Sequence, residues 1–364
     1  MEEVEKKWEV AGTRGRNKWK AAADLSAACQ YTSVHANPQG PRDARPTAAQ
    51  IVQDEKLVNR LIGRVIVITG ATAGIGLETA RALIITGATL FLTVRDLEKA
   101  KTTLHDLLMS DQVHLVKMDN FSISSVRDAA DDILEKSNNQ VNILIINAGV
   151  MGIPNLEQTE EGFESHFVTN YLSHFLYFQL LKPALLASAT PEFSSRVVNV
   201  SSSAHRSVEL SASDNYNFEK GNYDAGVAYA QSKLASIYMA NEIDRRYGHR
   251  GLRATSLHPG AIGGTNISRN VSPEFVARVY ETLKDIMHTM KSPEQGAATT
   301  LVAAIGKEWE NKGGKYLEDC EEAKRGADDQ NVFGIGWVRQ TYNAENEARL
   351  WKDSLEMLGL KDDL

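Results

Sequence analysis

Two side chains four residues apart, Tyr229 and Lys233 in the segment AYAQSK, have the types and spacing needed for acid–base chemistry. They stand at the start of a helical pattern, in which the i and i+4 side chains share one face. A free tyrosine has a pKa near ~10, and a neighbouring ammonium stabilises the phenolate and lowers that pKa. The spacing therefore predicts that Lys233 makes Tyr229 a usable acid or base near neutral pH. The alternative is an ordinary helix that carries this short pattern by chance.

A glycine-rich turn upstream has the composition of a phosphate-binding site. The segment GATAGIG follows the apolar run RVIVIT and precedes the helical pattern LETARALIITG. Glycines let backbone amides approach a pyrophosphate, whose charge is favoured at the N-terminus of the following helix. The order of strand, turn and helix predicts a dinucleotide site, and the alternative is a glycine turn without a ligand. The predicted binding residues of this turn are Gly70, Thr72, Ala73, Gly74, Ile75 and Gly76.

The elements that must position these residues are predicted from short β-branched runs that alternate with amphipathic, helix-length stretches. The runs lie at 64–69, 89–94, 112–118, 141–146, 196–201, 252–257 and 315–318. Nearly continuous apolar runs are typical of parallel strands that helices cover on both faces. The sequence therefore predicts an α/β fold with a doubly wound (Rossmann) parallel sheet of about seven strands.

The chain is predicted to form a single domain with a terminal extension at each end. Helix breakers and weak apolar periodicity near the N-terminus predict a partly disordered extension. A helical pattern over 47–61, capped by Thr47, precedes the first strand, and an amphipathic pattern over 341–359 predicts a last helix. The predicted boundaries are 1–48 for the N-terminal extension, 49–320 for the Rossmann catalytic domain and 321–364 for the C-terminal helical extension.

Composition excludes several classes of protein. A net charge of −7 and a pI near 5.8 provide no broad positive field, which argues against nucleic acid as a partner. Cys29 and Cys320 form neither a disulfide framework nor a CxxC pair, and no HExxH motif or ligand cluster predicts a metal. The chain starts with acidic residues where a signal peptide is basic, and no window reaches the ~18 apolar residues of a membrane span. We therefore expect a cytoplasmic protein without a transmembrane segment.

The motifs TGATAGIG, NAG and YxxxK occur in this order and together resemble the short-chain dehydrogenases/reductases over residues 62–305. The resemblance implies a catalytic set of Asn170, Ser202, Tyr229 and Lys233. In that set Ser202 hydrogen-bonds the substrate oxygen, Tyr229 passes a proton, and Asn170 helps to hold a water joined to Lys233. Ser202 is the second of three consecutive serines, and it is selected by aligning VNVSS with the family pattern.

The same resemblance implies further cofactor contacts, and one arginine predicts which cofactor is used. Tyr229 and Lys233 are joined in the predicted cofactor site by Asp119, Asn120, Asn147, Ala148, Gly149, Pro259, Gly260, Ile262 and Thr265. Arg95 lies 19 residues past Gly76, where dinucleotide folds meet the adenosine ribose. A guanidinium can donate two parallel hydrogen bonds to a 2′-phosphate, which predicts NADP(H) in preference to NAD(H). Asp96 is a competitor for Arg95, and an exposed arginine that only ends a strand is the alternative.

The segments NYLSHF, VVNVSSSAH and FEKGNYDAGVAYAQSKLAS resemble the branch of the family that contains retinol dehydrogenases and related carbonyl reductases. The branch implies that a ketone or aldehyde and an alcohol are interconverted on a lipophilic or secondary-metabolite small molecule. A homodimer is compatible with this prediction. Two alternatives stay open, namely a non-redox epimerase or dehydratase and a cofactor-binding scaffold without turnover. The GxxxGxG spacing disfavours the first, and the presence of all four catalytic residue types provides no reason to prefer the second.

Overall fold

The computed structural model describes residues 27–263, 265–271, 281 and 284–363. Residues 1–26, the larger part of the predicted N-terminal extension, lie outside the described residues. The strands are β1 (Val65–Thr69), β2 (Thr89–Val94), β3 (Val113–Lys117), β4 (Ile143–Ile146), β5 (Ser195–Val200), β6 (Leu252–His258), β7 (Lys315–Glu318) and β8 (Glu321–Glu322). The longer described helices are α1 (Ala27–His35), α2 (Ala48–Asp54), α3 (Gly74–Leu83), α4 (Leu97–Thr103), α5 (Ile123–Lys136), α6 (Ser173–Ser188), α7 (Ala225–Tyr247), α8 (Ala298–Ile305) and α9 (Ala344–Met357).

The strands form one sheet in the order β3-β2-β1-β4-β5-β6-β7-β8. All neighbouring pairs from β3 to β7 are parallel, so the predicted doubly wound parallel sheet is confirmed. The eighth strand is a two-residue addition that runs antiparallel to β7. The chain reverses there through Asp319 and Cys320, which adopt left-handed backbone with φ of 53° and 66°. No glycine marks this turn, which explains why the sequence predicted about seven strands.

Side chains of β1 divide between the two faces of the sheet. Val65 and Val67 belong to a core cluster packed by α5, α6, α7 and α9, whereas Ile66 and Ile68 belong to the cluster packed by α2, α3 and α8. Successive strand residues point to opposite faces, so a run with both faces covered must be apolar throughout. The order of strands changes direction between β1 and β4, and an open α/β sheet forms a crevice at the carboxyl ends of its strands at such a point.

The N-terminal helix is shorter than predicted. Thr47 caps α2 as expected, because its hydroxyl accepts a hydrogen bond from the Gln50 amide at 3.2 Å. The helix ends at Asp54, however, and the predicted continuation to residue 61 is wrong. Lys56 and Asn59 adopt left-handed backbone with φ of 58° and 53°, which no helix can contain. The apolar periodicity of the sequence continues past the residue at which the helix ends, and for this reason it predicted too long a helix.

The terminal segments pack closely on the sheet domain. Arg45 is buried and donates hydrogen bonds to the carbonyl oxygens of Thr289 and Met290, 2.7 Å and 2.6 Å away. At the other end α9 begins at Ala344, where Asn343 caps it, and buries Trp351 against the helices of the sheet. Among the helices of the described residues, none is both long and apolar enough to cross a membrane.

Candidate active site

The predicted site residues converge on one cleft of about 790 Å³ at the carboxyl ends of the strands. All predicted cofactor-binding residues line it, together with Ser202, Tyr229 and Lys233. Asn170 is the exception, since it is 1% exposed and lies behind the cleft wall. Strand order thus brings together side chains that are far apart in the sequence.

The glycine turn is shaped by close backbone contacts. A Cβ on Gly76 would overlap the Gly70 carbonyl oxygen and the Asn147 side-chain nitrogen, and a Cβ on Gly70 would lie 2.8 Å from Ala148 Cα. Gly70 also has φ of +70°, a conformation that favours glycine. The helix α3 begins at Gly74 after Ala73, which provides no side-chain cap. Its first amides therefore remain for an anion, and the donor set fits a dinucleotide pyrophosphate.

The NAG motif ties the end of β4 to this turn. The amides of Asn147 and Ala148 both donate to Thr69 Oγ1 at 3.0 Å. The Asn147 side chain donates to the carbonyl oxygens of Thr69 and Gly70, 2.9 Å and 3.1 Å away. The motif consequently acts on the turn through hydrogen bonds that hold two strand ends together.

A buried histidine on α6 connects Thr69 to the helical segment that contains Asn170. The sequence did not assign this histidine to the site. His174 Nε2 lies 3.1 Å from Thr69 Oγ1 and 2.9 Å from Asn120 Nδ2, and its Nδ1 lies 3.1 Å from the Asn170 carbonyl oxygen. Burial lowers the pKa of His174 to about 4, so the ring is neutral near pH 7. The spacing of four residues from Asn170 within a helical pattern was the available signal for it.

The end of β2 and the loop after β6 each present one arginine to the cleft. Arg95 follows β2 directly, is exposed, and lines the cleft with Arg269 from the loop after β6. The predicted competition from Asp96 does not occur, because Asp96 caps α4 and accepts a hydrogen bond from the Lys99 amide at 3.0 Å. Within the described part of the chain, neither Arg95 nor Arg269 forms a salt bridge. The sequence did not single out Arg269.

Tyr229 and Lys233 lie in the first half of α7, which begins after the side-chain cap of Asp224. The Tyr229 side chain interacts with that of Ser202, which follows β5, and both line the cleft. Lys233 Nζ donates to the Val200 carbonyl oxygen at 3.0 Å and lies 5.8 Å from the centre of the Tyr229 ring. The three side chains therefore form one group at the centre of the cleft.

Burial dominates the acid–base properties of this group. It raises the pKa of Tyr229, and the interaction with Ser202 offsets only part of that rise. It lowers the pKa of Lys233 to about 8. The expectation that Lys233 brings the pKa of Tyr229 below its ordinary value is therefore wrong for this structure, because desolvation by burial raises that pKa and only the interaction with Ser202 lowers it.

Asn170 lies in a π-helical turn, Val168–Leu172, that precedes α6. Its Oδ1 accepts a hydrogen bond from the Val150 amide at 2.8 Å, and its Nδ2 donates to the Val150 carbonyl oxygen and to Ser232 Oγ. A Cβ on Gly149 would lie 3.1 Å from Asn170 Oδ1 and 3.4 Å from Lys233 Nζ. Asn170 thus positions the loop beside Lys233, and its predicted role in holding a water stays a prediction.

The loop after β6 closes the cleft opposite the glycine turn. Pro259, Gly260 and Ile262 line it, and Thr265 Cγ2 would lie 3.3 Å from a Cβ on Gly74. His258 accepts a hydrogen bond from the Ser203 amide at 3.2 Å. This loop therefore rests directly on the first turn of α3.

A C-terminal strap, defined here as residues 323–342, holds the loop that follows Ser202. Arg206 is 2% exposed and donates to the carbonyl oxygens of four strap residues and to the carboxylate of Asp329. Ser203 Oγ donates to the Val332 carbonyl oxygen at 2.7 Å, and His205 Nε2 lies 2.9 Å from Thr341 Oγ1. Sequence reasoning did not find this connection.

Comparison with known proteins places these features in context. A family profile described as short chain dehydrogenase matches residues 64–275. Short-chain dehydrogenase/reductase prx1 of Penicillium roqueforti is 45% identical over 335 residues, which cover 92% of this chain and 96% of that protein. Retinol dehydrogenase 11 of Homo sapiens is 34% identical over 308 residues, which cover 84% and 88%. Similar proteins thus include the retinol dehydrogenases that the motifs predicted.

Similarity to solved structures agrees with the fold. The structure titled Pseudomonas aeruginosa RhlG/NADP active-site complex is 25% identical, with a TM-score of 0.57, and the match covers 71% of this chain and 94% of that chain.

Proposed function

This chain belongs to the short-chain dehydrogenase/reductase family of oxidoreductases, and from that premise we propose that it interconverts a ketone or aldehyde and an alcohol with NADP(H). The observation that carries the proposal is that Ser202 and Tyr229 line the same cleft as the glycine turn. A substrate oxygen that contacts this pair would lie beside a dinucleotide bound along the turn.

The bound nicotinamide supplies or accepts the hydride. The residues of the chain handle the oxygen and the proton. Ser202 and Tyr229 hydrogen-bond the substrate oxygen, and Tyr229 donates its proton to that oxygen when a carbonyl is reduced. Because burial raises the pKa of Tyr229, the hydroxyl carries this proton at neutral pH. Lys233, protonated below its pKa of about 8, stabilises the phenolate that remains.

The preference for NADP(H) is supported by Arg95. Its guanidinium lies at the end of β2, where the adenosine ribose is expected, and Asp96 is occupied with the cap of α4. The RhlG structure, which contains NADP according to its title, provides a further reason for this choice. We propose a lipophilic carbonyl or alcohol as substrate, since Val150, Ile153 and Pro154 contribute an apolar wall to the cleft.

Replacement of Tyr229 by phenylalanine tests the proposed chemistry. The full-length protein is screened against lipophilic ketones and aldehydes while NADPH absorbance is followed. Removal of the proton donor should lower kcat/KM for an accepted substrate by about 10³-fold, while NADPH binding, measured by fluorescence titration, stays within about twofold of wild type because the turn is untouched.

Tyr31→Phe is the matched control, because it removes a tyrosine hydroxyl that bonds Asp54 far from the cleft. It should keep full turnover. Near-normal turnover by Tyr229→Phe would contradict the assigned proton transfer. Conversion of a substrate without net oxidation of NADPH would indicate an epimerase or dehydratase, and tight NADPH binding with no turnover of any carbonyl would indicate a scaffold protein.

A further inference from the structure

The cleft contains a second guanidinium near Arg95. Arg269 follows the short helical turn Asn266–Ser268, in the loop after β6, and lines the same cleft as Arg95 and the glycine turn. The loop is held there by its own packing, since Thr265 sits against Gly74 at the start of α3. Arg95 and Arg269 thus follow different strands of the sheet and line the same cleft.

The two guanidinium groups have few partners of their own. Arg269 donates one hydrogen bond, to the Asn266 carbonyl oxygen at 3.0 Å. Within the described residues neither arginine forms a salt bridge, and the nearest acid in sequence, Asp96, accepts from a backbone amide instead. Most of the N–H donors on both side chains therefore remain for a ligand.

The two guanidinium groups interact electrostatically. Partial burial and then the positive charge of Arg95 lower the pKa of Arg269. Like charges repel each other, and an anion that binds both guanidinium groups turns this repulsion into attraction. Lys99, on the first turns of α4, lines the same cleft and adds to the positive field.

We propose that Arg269 binds the 2′-phosphate of NADP(H) together with Arg95, so that the phosphate is held between the end of β2 and the loop after β6. The proposal rests on the proposed function, because it assigns a residue to the cofactor of that reaction. A phosphate monoester dianion offers three oxygen acceptors, and two guanidinium groups can each donate to it in parallel. Arg269 therefore contributes to cofactor selectivity from the loop that also borders the substrate.

Ligand titration of the full-length protein tests this assignment without turnover. The probes are 2′,5′-ADP, 5′-AMP, NADPH and NADH, with affinities measured by calorimetry or protein fluorescence. Arg269→Ala should weaken 2′,5′-ADP and NADPH by about tenfold, the loss of a charge-assisted hydrogen bond. Binding of 5′-AMP and NADH should change by less than about twofold. Arg269→Lys should retain part of the affinity, because it keeps the charge and loses the fork.

Two comparisons make the result decisive. Arg60→Ala removes an exposed arginine outside the cleft and should leave all four affinities unchanged. Arg95→Ala should show the same selective loss as Arg269→Ala if both read the 2′-phosphate. Selective loss in Arg95→Ala with wild-type binding in Arg269→Ala would overturn the role of Arg269 and leave the proposed function standing.

The remaining outcomes are also informative. Equal weakening of NADPH and NADH by Arg269→Ala would overturn the inference, because the side chain would then contact the part common to both cofactors. A wild-type protein that binds NADH as tightly as NADPH would contradict the proposed cofactor preference and the role of Arg269 together.

Discussion

The glycine turn lines the cleft, and the C-terminal strap holds the loop that follows Ser202, but the two regions are built in opposite ways. The turn is made of backbone, and its shape depends on places where Gly70 and Gly76 leave no room for a Cβ. The strap is held by side chains, above all by Arg206, whose guanidinium donates to four carbonyl oxygens between residues 327 and 336. Local backbone geometry positions the cofactor side, whereas a long-range contact positions the loop of Ser202.

Because of this difference, mutations in the two regions should have separate effects. A change in the turn alters the surface that meets the cofactor, while the fold has other strands and helices to support it. A change at Arg206 removes the donor that four carbonyl oxygens share, and a carbonyl oxygen that loses its donor away from water lowers stability. Damage to the strap should therefore appear first in stability and in the position of Ser202.

Arg206→Met is expected to have the largest effect. It should lower the free energy of unfolding by about 3 kcal/mol, because it leaves the buried Gly336 carbonyl oxygen and three partly buried carbonyl oxygens without this donor. Urea unfolding measures this loss. NADPH affinity, measured where the variant is folded, should stay close to wild type, since the glycine turn is unaffected.

A matched change within the strap is Arg325→Met, which removes an exposed pair with Asp328. Exposed ion pairs contribute about 0–1 kcal/mol, so this variant should be nearly as stable as wild type. If Arg206→Met were equally mild, the strap would not depend on the buried guanidinium.

Gly76→Ala should affect the cofactor side. The added methyl group would overlap the Gly70 carbonyl oxygen and the Asn147 side chain, and this overpacking costs up to about 3 kcal/mol. Because the turn must shift, NADPH affinity should fall by roughly 100-fold in a fluorescence titration.

Gly226→Ala provides the comparison, since Gly226 is exposed in the first turn of α7 and does not line the cleft. NADPH binding by this variant should match wild type. Retained NADPH affinity in Gly76→Ala would mean that the turn is more adaptable than its packing indicates.

Glu318→Gln tests how the stability of the contact between β7 and the strap depends on pH. Burial raises the pKa of Glu318 to about 7, and its carboxylate accepts a hydrogen bond from the Gly336 amide. Between its unfolded pKa near 4.5 and about 7 the folded protein binds more protons, so this group makes stability fall as pH rises. The glutamine variant lacks that decline. Its free energy of unfolding should therefore rise by about 2 kcal/mol relative to wild type between pH ~5 and pH ~8.

Urea unfolding at the two pH values measures the difference. Glu322→Gln on β8, where Glu322 is exposed and pairs with Lys315, should keep the wild-type dependence on pH. An unchanged pH dependence in Glu318→Gln would show that Glu318 is solvated well enough to ionise normally.

Much of the sheet could be predicted because its signals are local. The seven parallel strands are confirmed close to their predicted bounds, since a strand covered on both faces needs an apolar run in one short segment. The end of α2 was wrong, because the left-handed turn at Lys56 and Asn59 left the apolar periodicity intact. The predicted lowering of the Tyr229 pKa was also wrong, because burial depends on residues that the YxxxK spacing does not contain.

Sequence alone determined the glycine turn, the spacing of Tyr229 and Lys233 and the placement of Arg95, since each depends on residue types within a few positions of chain. The hydrogen bonds from Arg206 to the strap and the position of Arg269 near Arg95 depend on the tertiary structure. The physical reason is separation along the chain, because Arg206 bonds carbonyl oxygens 121 to 130 residues away. Backbone acceptors are present at every residue, so no sequence pattern marks those that a distant guanidinium will reach.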